Sequence, residues 1–161
     1  AEVISTASNS SDRDLCLALG AKAVVNHREE NWGQQVLVAT NEKKVDRVID
    51  VEFGANLPQI LGCIAPNGVI ATYSSTQVKT PSLPFLDMMY MDLTLRMVIV
   101  YAMPESAKQA AIEAISIALE QEQLEHRVAH VVPLKKISKA HELIETGGFG
   151  GCVVVSMESS E

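Results

Sequence analysis

The sequence predicts an α/β domain built on a parallel sheet with helices wound over it. Two observations carry that expectation. Short β-prone runs alternate with helical stretches along most of the chain, and the helices between successive runs are long enough for right-handed crossovers but not for hairpins. With 161 residues and 47% hydrophobic content, the chain is large enough to bury a core, as one domain or one domain with an appendage.

The elements follow in order. Glu2–Ser8 is a short apolar, β-prone run, and Asp12–Leu19 is a helical stretch closed by Gly20. Ala23–Val25 starts a second strand, and Glu29–Thr40 carries Trp32, Val36 and Ala39 at helical spacing. Val45–Asp50 reads as a buried strand, and Leu57–Ile64 as a short helix. The turn signal Pro66-Asn67-Gly68 precedes a strand over Val69–Tyr73. Ser75–Pro84 is polar and holds two prolines, which marks a loop long enough to be functional. Leu86–Met91 is a helical turn and Leu93–Tyr101 a long apolar strand. Pro104 stands at a helix start, and Glu105–Gln121 repeats Ala110, Ile112, Ile115 and Leu119 at a spacing suited to covering a sheet face. The remaining segments are a strand over His130–Leu134, a helix over Ile137–Glu145 and a strand over Cys152–Ser156. A boundary is placed at 123/124, giving units 1–123 and 124–161.

This order matches a doubly wound dinucleotide-binding (Rossmann-type) fold entered at its second strand. A first strand carrying G-x-G-x-x-G and its helix, which would hold a pyrophosphate through backbone N–H groups, is expected ahead of Ala1. The expected fold is therefore a Rossmann-type parallel sheet lacking its first strand and glycine loop.

A net charge of -7 argues against a nucleic-acid surface, which needs clustered Lys and Arg. No apolar run reaches the ~20 residues of a membrane span. Small molecules and protein are the expected partners, with no nucleic acid and no membrane, and the expected location is cytoplasmic. Cys16, Cys63 and Cys152 are odd in number and far apart, so they are expected to be reduced, mostly buried thiols that form neither a disulfide framework nor a metal knuckle.

Several constellations have a functional and a structural reading. Ala7-Ser8-Asn9-Ser10-Ser11 ends the first run, where this fold class meets the adenosine ribose. An NAD-preferring domain usually has an acidic residue there, whereas the hydroxyls and amide here, with Arg13, suit a phosphate. The same residues also suit a helix cap. Asp50 is better read as a cap or loop anchor than as a catalytic acid. His126 and His130 are four residues apart but lack a third ligand, which favours surface histidines. Gly147-Gly148-Phe149-Gly150-Gly151 follows a helix and precedes a strand, the reverse of a phosphate loop, and reads as a return turn.

The run Gly20-Ala21-Lys22-Ala23-Val24-Val25-Asn26-His27-Arg28-Glu29-Glu30-Asn31-Trp32 resembles the medium-chain dehydrogenase/reductase superfamily, and most of all its zinc-free quinone oxidoreductase branch, zeta-crystallin included. The likeness continues through Val45–Asp50, Leu61–Gly68, Leu93–Arg96, Ala140-His141-Glu142 and the glycine turn before the last strand. It implies the C-terminal half of an NADPH-dependent oxidoreductase (NAD being possible) that transfers hydride to a quinone or an activated alkene or carbonyl. It also implies that residues 124–161 return into the catalytic domain. Matched by position, Ser8, Asn9, Arg13 and His27 would lie on the adenosine side, Val51 in the crevice, Ser74 and Ser75 near the nicotinamide ribose, and Val100 and Tyr101 near the carboxamide. No residue is matched to a catalytic or metal-binding role. Glu52 and Phe53 stand where the family usually has Val-Gly. Members of the family commonly dimerise by pairing equivalent edge strands, which implies a homodimer through residues 93–101. The alternatives are a non-catalytic homologue, a reductase module of a larger multidomain protein, or a zinc-type alcohol dehydrogenase.

Overall fold

The computed structural model describes residues 1–157. Its strands are all parallel and its helices lie between them in sequence. Two compact units are present, Ala1–Met103 and a second from Pro104 onward.

In the first unit, β1 (Ile4–Thr6) pairs in parallel with β2 (Ala23–Val25), across helix α1 (Ser10–Ala18). Helix α2 (Trp32–Ala39) leads to β3 (Val45–Asp50), and α3 (Phe53–Cys63) leads to β4 (Ile64–Thr72). A short helix α4 (Phe85–Tyr90) precedes β5 (Thr94–Met97). The hydrogen-bonded orders are β1-β2 and β3-β4-β5, and no strand bridges β1 and β3 among the described residues. This is the expected Rossmann-type α/β arrangement, with the ladder interrupted between its second and fourth strand positions.

The core lies where α2 and α3 pack on each other and on the strands. Val25, Trp32, Val36, Phe53, Leu57, Ile60, Cys63, Ile64 and Ile70 form one buried cluster. Helix α3 begins earlier than its turn signals suggest and runs through Pro58. A proline inside a helix costs about 3 kcal/mol. Burying Phe53, Leu57 and Ile60 on the same helix returns about 1.5–3 kcal/mol each, so the longer helix wins. Burial pushes the Cys63 thiol pKa above its ordinary value, consistent with a reduced core thiol. Cys16 is half-buried, but Cys152 is exposed, against the expectation of mostly buried thiols.

The predicted strand over Leu93–Tyr101 is shorter in the structure. β5 stops at Met97 because its only ladder partner, β4, ends at Thr72. The Val98 amide still donates to the Thr72 carbonyl at 2.8 Å. Beyond it no strand offers acceptors, and Val100–Ala102 coils into a 3-10 turn.

In the second unit, α5 (Glu105–Glu120) forms as expected, with Ile112, Ile115 and Leu119 exposed. Strands β6 (Val128–Pro133) and β7 (Cys152–Ser156) pair in parallel, and α6 (Ile137–Thr146), between them, packs on both. Gly147 and Gly148 take positive φ, and Gly151 does so against the Arg127 backbone. The glycine run is therefore the return turn from α6 to β7. The His130 ring meets Phe149 edge-on, with centroids 4.9 Å apart.

The seam between α2 and α3 is close. A Cβ on Gly33 would stand 2.5 Å from the Gln59 carbonyl oxygen, while one on Gly62 would meet nothing within 4 Å. Gly33→Ala is therefore expected to destabilise by about 1–3 kcal/mol. Gly62→Ala, in open helix, is expected to stabilise by about 0.5–1 kcal/mol. Urea unfolding of the two variants checks the opposite signs.

Candidate functional site

Parallel pairing sends the loops that follow the strands of one sheet to the same edge, the carboxyl end at which ligands of open α/β sheets lie. In this chain the candidate residues form two groups, one per sheet.

The first group follows β1 and β2. Ladder bonding extends past β1, with the Ala7 amide donating to the Val25 carbonyl at 3.0 Å. Asn9 is the N-cap of α1: its Oδ1 accepts the Asp12 amide at 2.8 Å, and its Nδ2 donates to Asp12 Oδ2 at 2.7 Å. The capping reading of the Ser-Asn-Ser-Ser segment is thus realised at Asn9. Ser8 is half-buried at the strand end, and Arg13 is exposed on the first turn of α1. His27 is exposed in the turn after β2, where the Arg28 amide donates to Asn26 Oδ1 at 3.1 Å.

The second group follows β3, β4 and β5. Asp50 ends β3 with only 7% of its surface exposed. Its Oδ1 accepts Asn56 Nδ2 at 2.7 Å and its Oδ2 accepts the Glu52 amide at 3.1 Å. Both oxygens serve the turn into α3, the anchoring role expected for it. Val51 is exposed beside this turn. Ser74 and Ser75 are half-buried after β4: the Ser74 carbonyl accepts the Phe53 amide at 3.1 Å, and Ser75 Oγ accepts the Gly54 amide at 2.9 Å. Val51, Ser74 and Ser75 are therefore brought to one edge, around the start of α3. Val100 and Tyr101 lie in the 3-10 turn after β5, with Tyr101 87% exposed.

Sequence reasoning missed the residue that ties this second group together. Glu52 accepts hydrogen bonds from Thr76 and Gln77 in the loop after β4. These donors, the Thr76 hydroxyl foremost, hold its carboxyl below the ordinary value. The available signal was a carboxylate two residues past a strand end, in the same domain as a polar loop rich in Ser and Thr.

Among the described residues, no three His, Cys, Asp or Glu side chains are grouped to hold a metal ion. A nicotinamide dinucleotide fits: hydroxyls and a guanidinium follow β1, no carboxylate stands at Ala7, and backbone with small side chains follows β4.

A parallel sheet with helices between its strands and polar residues gathered at strand ends defines the class as a Rossmann-type α/β protein. The zinc-binding dehydrogenase family model matches residues 1–116, and the chain belongs to that family. It is 26% identical over 156 residues to the quinone oxidoreductase of Sus scrofa, covering 96% of this chain and 46% of that relative. It thus spans less than half the length of that relative. Among solved structures, an NAD-dependent alcohol dehydrogenase superposes with a TM-score of 0.79 at 27% identity, covering 98% of this chain and 44% of the other. A mycobacterial protein complexed with NADPH superposes at 0.75 with 22% identity, covering 96% and 49% respectively.

Asp50→Ala removes the acceptor of two bonds at a buried turn and is expected to destabilise by about 1–3 kcal/mol. Asp50→Asn keeps one carbonyl acceptor and should lose less. Thermal unfolding of the pair orders the two effects.

Proposed function

We propose that the protein to which this chain belongs is a nicotinamide-dependent oxidoreductase of the quinone oxidoreductase type, with NADPH the favoured cofactor over NADH. The single observation that carries this reading is the family match over residues 1–116, the segment that contains both groups of strand-end residues. The similarity to quinone oxidoreductases supports the substrate class, a quinone or an activated alkene or carbonyl, and the NADPH complex of a fold neighbour supports the cofactor.

When bound, NADPH supplies the hydride, and the protein's part is to bind and orient it. Ser8 and Arg13 would hold the adenosine phosphate, with Asn9 lending backbone at the cap and His27 flanking the adenine. Val51, Ser74 and Ser75 would border the nicotinamide ribose, and Val100 and Tyr101 the carboxamide. Residues 124–161 are read as the return into the catalytic domain.

Arg13→Ala is the direct test of the cofactor side. Loss of one charge-assisted contact to a 2′-phosphate should weaken NADPH binding by about tenfold and leave NADH binding unchanged. Fluorescence titration with both nucleotides measures this. Equal losses for the two would reject a phosphate contact at Arg13, and steady oxidation of NADPH with a simple quinone would establish the activity itself.

Homodimerisation through residues 93–101 belongs to the same reading. β5 is an edge strand among the described residues, and Met97, Ile99, Val100 and Tyr101 are exposed. An apolar edge of this kind is a hazard that a twofold pairing removes. Light scattering should report a dimer, and Ile99→Lys should shift it toward monomer; a clean monomer at tens of micromolar would reject the pairing.

A further inference from the structure

The loop after β4 is fastened to the start of α3 from two sides. On one side, the Glu52 carboxylate accepts three hydrogen bonds. Its Oε2 takes the Thr76 amide at 3.0 Å and the Thr76 hydroxyl at 2.6 Å, and its Oε1 takes the Gln77 amide at 2.9 Å. On the other side, Ser75 Oγ accepts the Gly54 amide at 2.9 Å and donates to the Val78 carbonyl at 2.5 Å. The Val78 carbonyl oxygen lies 2.5 Å from where a Cβ on Gly54 would stand, so the loop backbone rests directly on the helix start.

These contacts have a consequence for Ser74 and Ser75. Loops after strands are ordinarily the mobile part of an α/β protein, yet this one meets a carboxylate with both oxygens engaged. A hydrogen bond from an amide to a carboxylate oxygen is shorter and stronger than one to a neutral acceptor. Glu52 does not cap its own helix, since no side-chain cap bond is formed at α3. Its side chain is committed to the loop instead.

We propose that Glu52 is a positioning residue: its carboxylate straps residues 74–78 across the first turn of α3 and thereby fixes where the Ser74 and Ser75 backbone stands at the end of β4. The significance of that placement for a nicotinamide ribose rests on the cofactor reading given above, but the strap itself does not.

Amide hydrogen exchange resolved by NMR on the full chain tests the strap without any ligand. The Thr76 and Gln77 amides should be protected in the wild type and should exchange about tenfold faster in Glu52→Ala. Glu52→Gln, which retains one acceptor oxygen, should fall between them, while the β4 amides of Ile70 and Ala71 stay unchanged. A residue that merely stabilised the fold would speed all of these amides together, which would overturn the proposal. Free-peptide exchange of Thr76 and Gln77 in the wild type would overturn it too. If Glu52→Ala does not fold, Glu52→Gln carries the test by itself: faster exchange of the Thr76 and Gln77 amides is expected, and unchanged protection of both would overturn the strap. NADPH titration of the same proteins separates the two readings. Weaker binding by Glu52→Ala than by wild type is the expected result, and equal affinity despite a released loop would overturn the positioning role. If NADPH binds none of them while the exchange pattern holds, the cofactor reading falls and the strap stands.

Discussion

The packing of α2 on α3 is the contact on which the first unit depends, because the buried cluster of that unit is drawn mostly from these two helices. Ile60, with no exposed surface, shares this cluster with Phe53 and Leu57 of its own helix and with Trp32 and Val36 of α2. The polar contacts on the same seam are few: the Gly33 amide donates to Gln59 Oε1 at 3.0 Å, and Gln59 Nε2 donates to the Glu30 carbonyl. Cohesion between the two ladders is therefore mainly apolar burial, and it requires a glycine where α2 approaches the Gln59 backbone.

The same seam places the functional edge. With α3 locked against α2, its first turn becomes a fixed platform beside the ends of β3 and β4. Asp50 then shapes the entry to the helix, while Glu52 reaches away from it. Two carboxylates two residues apart take different tasks because one is buried under Asn56 and the other faces a loop of amide and hydroxyl donors.

Most of the alternation of strands and helices was legible in the sequence. β3, β7 and α6 are defined by apolar periodicity with clear turn residues at their ends, and the structure places them where that pattern does. Two boundaries were not legible, and each was decided by tertiary contacts. The helix expected over Leu57–Ile64 starts at Phe53 instead, because burying Phe53 extends it. The apolar run to Tyr101 suggested one long strand, but pairing ended with Thr72. At the site, Asn9 and Asp50 were readable as anchors because capping is local chemistry within a few residues. The Glu52 strap spans 24 to 25 residues of sequence, and a single sequence carries no signal for a pair so far apart.

Trp32 gives the seam a reporter of its own. It is the one tryptophan of the sequence, and it is buried in the cluster that α2 shares with α3. Indole emission shifts when the ring meets water, so the fluorescence of the chain follows this helix pair and not the exposed strand ends.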